Sequence, residues 1–112
     1  MLTAHPGALS LISTFVSLSG HTALIPLDDE LIEQAVTRTR PRAAIVDFEH
    51  PCAASLRVER QMTESGTHVI LFSAWHRSVE ARARAAEMRA MFFALPIDHG
   101  DFDTLLRSAL SA

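Results

Sequence analysis

Residues 43–48 read Ala-Ala-Ile-Val-Asp-Phe, an apolar run that closes on the carboxylate of Asp47 and the ring of Phe48. Strands buried on both faces, as in a parallel sheet covered by helices, read as continuous apolar runs rather than as alternating ones. Two more runs of the same kind follow, His68–Ser73 and Met91–Leu95, the second closed by Pro96. The segments between them have helical character. Pro51 opens a helix expected to reach Glu64, with Gly66 past its end. Ser78 is expected to cap a helix over Val79–Met88, and Asp101 or Asp103 one that runs out near Ala109.

The pattern also extends upstream. Leu9, Ile12, Phe15 and Val16 recur at helical spacing within Ala8–Leu18, and Ser19-Gly20 stops that run. Thr22–Leu27 reads as a strand placed at an edge by Pro26. Asp28-Asp29 are expected to cap a helix over Glu30–Arg38 with Leu31, Ala35 and Val36 inward, and Pro41 breaks it. Met1–Ala4 has room only for a strand stub. The order is (β)αβαβαβαβα. Short connections and right-handed crossovers turn it into an α/β, flavodoxin-like, doubly wound parallel sheet whose first strand is short or missing.

Bulk properties narrow the function. The 112 residues, 48% of them hydrophobic, suffice for one domain spanning 1–112. A net charge of -3 gives none of the basic excess that nucleic acid or an anionic membrane surface requires. Cys52, the single cysteine, has no internal disulfide partner, which fits a reducing compartment. The opening residues lack a basic n-region and are interrupted by Pro6-Gly7, and no apolar run approaches a membrane span. A cytoplasmic location is expected. There is no phosphate-binding loop, dinucleotide glycine motif or catalytic triad, so an ordinary enzyme is not expected.

Function in such a sheet gathers outside the C-terminal ends of the strands, where Asp47, Ser73 and Leu95 stand. Here the chain resembles the response-regulator receiver family over nearly its whole length. Arg42–Pro51 is similar to that family's strand, phospho-acceptor aspartate and downstream proline. His68–Trp75 is similar to its fourth strand, with a hydroxyl residue followed by alanine. Met91–Asp98 is similar to its fifth strand, switch aromatic and following proline. The resemblance implies that Asp47 is the phospho-acceptor, Ser73 the hydroxyl that turns toward the acyl phosphate, and Phe92 the aromatic that switches with it.

Three departures weigh against ordinary phosphorylation. The family's two acidic residues after the first strand, which hold Mg²⁺ with the acceptor, fall on Thr3 and Ala4, and the first 27 residues contain no Asp or Glu. Asp28-Asp29 lie too close to Asp47 to take that place. The family's lysine before the proline is replaced by Leu95, and all ten basic residues are arginine. The first strand is barely present. Asp47 and Glu49 are left to hold Mg²⁺, weakly if at all. Phosphoryl transfer depends on positioning and on cancelling charge, so phosphorylation is expected to be slow or absent.

Plainer readings stand beside these. Asp47 also suits a loop cap, Ser73 a hydroxyl satisfied by local backbone, and Phe92 a core residue. Arg82, Arg84 and Arg89 with Glu80 and Glu87 suit a solvated helix face or a partner surface. Cys52 is expected to be inert. His5, His50, His76 and His99 fall in loops at the same edge as Asp47, where imidazoles could take a transition metal or change charge near neutral pH. The expectation is an atypical receiver in two-component signalling. It would act by contact with a kinase, a downstream signalling protein or a second copy, with no cofactor beyond weak Mg²⁺. The alternatives are a phospho-accepting receiver that uses Asp47, and a metal or small-ligand binder at the histidine-rich edge.

Overall fold

A computed structural model describes residues 6–24, 30–49, 55–74 and 77–111. Among them the elements run α1 (Pro6–Leu18), α2 (Ile32–Thr39), β1 (Ala43–Asp47), α3 (Leu56–Glu64), β2 (His68–Ala74), α4 (Ser78–Met88), β3 (Met91–Leu95) and α5 (His99–Ser111). The three strands are parallel in the order β1-β2-β3. In register, Asp47 faces Phe72, Ser73 faces Ala94, and Ala74 faces Leu95.

The alternation of side chains along a strand sorts the apolar residues into two layers. Ala44, Val46 and Leu71 face one side and pack with Val36 of α2, Val58 and Met62 of α3, and Ala85 of α4. Ile45, Ile70, Phe72 and Phe93 face the other side and meet Ile12 and Val16 of α1 and Phe102 and Leu106 of α5. Helices on both faces of a parallel sheet make the fold doubly wound, as the unbroken apolar runs imply. Aromatic rings tie the second layer together. Phe72 stacks on Phe93 at 5.3 Å, Phe93 meets Phe102 edge-on at 5.8 Å, and Phe102 lies 5.6 Å from Phe15.

Several expected boundaries move. The helix expected from Pro51 begins at Leu56 among the described residues, because Ser55 is extended and its hydroxyl accepts the N–H of Val58. Residues 51–54 lie outside the description. Ser78 is already helical, and Arg77 holds the cap position with no side-chain cap. The last helix starts at His99, earlier than expected. The cap belongs to Asp98, whose carboxylate accepts the N–H of Asp101 at 2.8 Å, while Asp103 instead pairs with Arg107. Leu31, expected inward, is exposed at the cap position of α2, where its N–H donates to Gln34 Oε1.

The expected strand over Thr22–Leu27 is not found at 22–24, which carry no strand. Residues 25–29, including the expected Asp28-Asp29 cap, lie outside the described residues, as does the Met1–Ala4 stub. Beside β1, between the two helical layers, an apolar cavity of about 260 Å³ is lined by Val16, Ala23, Val36, Ile45 and Leu106. A flavodoxin-like order assigns that place to the first strand.

Phe102 is fully buried and sits between the sheet and α1. Phe102→Ala is expected to cost about 3–5 kcal/mol, read as a lower midpoint in denaturant unfolding. The Asp98 carboxyl is held below the usual range, first by the N–H of Asp101. Because its folded value is depressed, its contribution is present above the unfolded aspartate range and is lost as pH falls through the lower folded value. Asp98→Ala should therefore lower the melting temperature at neutral pH, with the deficit shrinking in strong acid.

Candidate functional site

The ends of β1, β2 and β3 bring Asp47, Ser73 and Leu95 to one edge of the sheet. Asp47 is only 2% exposed and Ser73 not at all. A buried carboxylate needs hydrogen bonds, and one oxygen of Asp47 accepts the N–H of Glu49 at 2.9 Å, closing the turn that follows β1. The Phe48 N–H continues the sheet by donating to the carbonyl of Phe72. The Ser73 hydroxyl donates to the carbonyl of Ala74 at 3.0 Å, the local satisfaction open to any strand-end serine. Leu95 is partly buried and packs into the apolar layer shared by α1 and α5.

Phe92 faces the other layer. It packs beside Val46, Leu71 and Ala85, with the Arg82 guanidinium 5.0 Å above its ring. Its ring therefore covers part of the core while its outer face meets a cation. Along α4, Arg84 pairs with Glu87 at 3.3 Å and reaches Glu59 of α3 at 3.6 Å. On this helix Arg84 is ion-paired but only 16% exposed, Arg82 lies over Phe92, and Arg89 takes the left-handed cap position, so a solvated, ion-paired face describes only part of it.

Arg77 was not singled out by the sequence and is the main addition. It stands where the loop after β2 enters α4. Its guanidinium lies 5.1 Å from the ring centre of Phe48, pairs with Glu80 at 2.8 Å and reaches Glu49 at 3.4 Å. The hydrogen bond and charge of Glu80, joined by the charge of Glu49, raise the guanidinium above its usual value. The signal available in the sequence was the three-residue spacing from Arg77 to Glu80 at a helix start. Nothing local forecasts the reach back to Glu49, which depends on how β1 and β2 align.

Of the four histidines expected in loops, His5, His50 and His76 lie outside the described residues, and His99 is instead the first residue of α5. His99 sits at the seam of α1 and α5, 5.4 Å from the Phe15 ring and 3.3 Å from the Ser19 hydroxyl. Among the described residues, no group of three or more His, Cys, Asp or Glu side chains gathers as metal ligands would. No helix is long and apolar enough to cross a membrane, judged over the same residues.

Comparison with solved structures identifies the fold. A response regulator receiver protein from Burkholderia phymatum superimposes with a TM-score of 0.77 at 20% identity, covering 98% of this chain and 92% of that one. The signal receiver domain of a putative LuxO repressor protein from Vibrio parahaemolyticus gives 0.73 at 21% identity, covering 98% and 87%. A response regulator receiver domain protein from Clostridium thermocellum gives 0.74 at 16% identity, covering 98% and 90%. The chain has the receiver fold, of the flavodoxin-like class. Its sequence matches no protein-family model and none of the curated proteins.

The Asp47 turn carries its own test. Asp47→Asn keeps an oxygen acceptor for the Glu49 N–H and should unfold close to the wild-type midpoint. Asp47→Ala removes the acceptor and is expected to cost about 1 kcal/mol in denaturant unfolding.

Proposed function

We propose that the chain is an atypical receiver-type signalling module that works by binding a protein partner, or a second copy of itself, without phosphorylation. The partner class is a kinase or a downstream signalling protein of the cytoplasm, which is where receivers of this fold meet theirs. The observation that carries this reading is the treatment of charge at the strand ends. Phosphoryl transfer needs cations aimed at the transferred group. Leu95 stands where the receiver family has lysine, and its side chain joins the apolar layer. The nearby arginine, Arg77, is engaged by Glu80 and Glu49.

The hydrogen bonds at the edge support the same reading. Asp47 serves the turn after β1, and Ser73 bonds its neighbouring carbonyl. Both are arrangements that need no phosphoryl group to be complete. The competing reading gives Asp47 a phosphoryl group, with Mg²⁺ held by Asp47 and Glu49. It would place Mg²⁺ and Arg77 on the same carboxylate, since Glu49 Oε1 already accepts from Arg77 at 3.4 Å.

The test is intact-mass spectrometry after incubation with Mg²⁺ and a small-molecule phosphodonor, with Asp47→Ala as control. Neither protein is expected to gain mass. A single phosphoryl adduct on the wild type alone would overturn the proposal in favour of a phospho-accepting receiver. Once a partner is in hand, it is expected to bind wild type and Asp47→Ala with equal affinity.

A further inference from the structure

We infer that Arg77 is a positioning residue that clamps together the two loops flanking Asp47 through charge pairs within the protein. The inference rests on the phosphorylation-independent reading and supplies its mechanism, since a module held in one state without phosphorylation needs something to hold it.

The contacts come from three directions. On the β2–α4 side, Nε and Nη2 of Arg77 both donate to one carboxylate oxygen of Glu80, at 3.3 and 2.8 Å. On the β1–α3 side, Nη1 donates to Glu49 at 3.4 Å. The guanidinium carbon also lies 5.1 Å from the centre of the Phe48 ring. Phe48 and Glu49 are the two residues immediately after Asp47, and the Glu49 N–H is the donor that Asp47 accepts. One side chain thus fixes the ring, the carboxylate and, through Glu49, the backbone turn that sets where the Asp47 carboxylate points.

The side chains of Arg77 and Glu49 are 37% and 28% exposed, against 62% for Glu80. Glu49 is thus less exposed than Glu80, and both contacts lie at the surface. Arginine suits the place because its flat guanidinium can stack on a ring and donate at its edge at the same time. Lysine could keep an ion pair but not the stack.

The experiment is amide hydrogen exchange, resolved to single residues, on wild type, Arg77→Ala, Arg77→Lys, Glu49→Gln and the Arg77→Ala/Glu49→Gln double variant, all without phosphodonor. The amides of Ile70–Phe72 report on folding, since that strand lies in the core. With those amides unchanged, Arg77→Ala and Glu49→Gln should each speed exchange of the Glu49 amide several-fold. The double variant should add nothing beyond the larger single effect, and Arg77→Lys should recover part of the protection. An unchanged Glu49 amide in Arg77→Ala, or additive effects in the double variant, would overturn the clamp. If a variant loosens Ile70–Phe72 as well, the ratio of Glu49 to core exchange decides, and an unchanged ratio counts against the clamp. A phosphoryl adduct on Asp47 would defeat the functional reading by a separate measurement, leaving this one to stand or fall alone.

Discussion

Strand β2 has no face toward solvent, and most of the architecture follows from that. Ile70, Leu71, Phe72 and Ser73 are each at most 1% exposed. A strand so placed must satisfy its backbone on both edges and its side chains on both faces. β1 and β3 meet the first need in parallel register. The second divides the helices, with α2, α3 and α4 over Leu71 and with α1 and α5 over Ile70 and Phe72. The stack of Phe72, Phe93 and Phe102 then fixes how α5 lies, because rings of that size pack in few ways.

That burial also shapes the candidate site. A carboxylate and a hydroxyl delivered to the ends of fully covered strands arrive where water is scarce, so their hydrogen bonds must come from the protein. Asp47 finds the Glu49 N–H and Ser73 the Ala74 carbonyl. Next to them, Arg77 pairs with both Glu49 and Glu80. An edge whose polar groups are already answered is suited to presenting a constant surface to a partner.

The parts of this fold legible in sequence were those governed by long apolar runs. Ala43–Asp47, His68–Ala74 and Met91–Leu95 are strands almost to the residue because each is a short, nearly continuous apolar run whose few polar residues fall at or next to its ends. Helix starts were harder. Asp98, two residues after Pro96, caps α5, although Asp101 and Asp103 have the same chemistry and lie within reach of the same helix. Ser55 rather than Pro51 precedes the described part of α3. Arg40 and Arg89 end their helices in the left-handed conformation, which arginine does not advertise, whereas Gly66 does. At the site, Asp47, Ser73 and Leu95 could be placed because each lies at or next to the end of a strand. Arg77 could not, because its link to Glu49 spans two loops and exists only once β1 and β2 are paired.

The most direct test of the central claim is the amide NMR spectrum recorded before and after adding Mg²⁺ and beryllofluoride, a mimic of a phosphoryl group on aspartate. A module that works without phosphorylation should show no change at Asp47, Ser73, Phe92 or the residues of α4. Saturable shifts at those positions that vanish in Asp47→Ala would contradict the account and restore a working phospho-receiver.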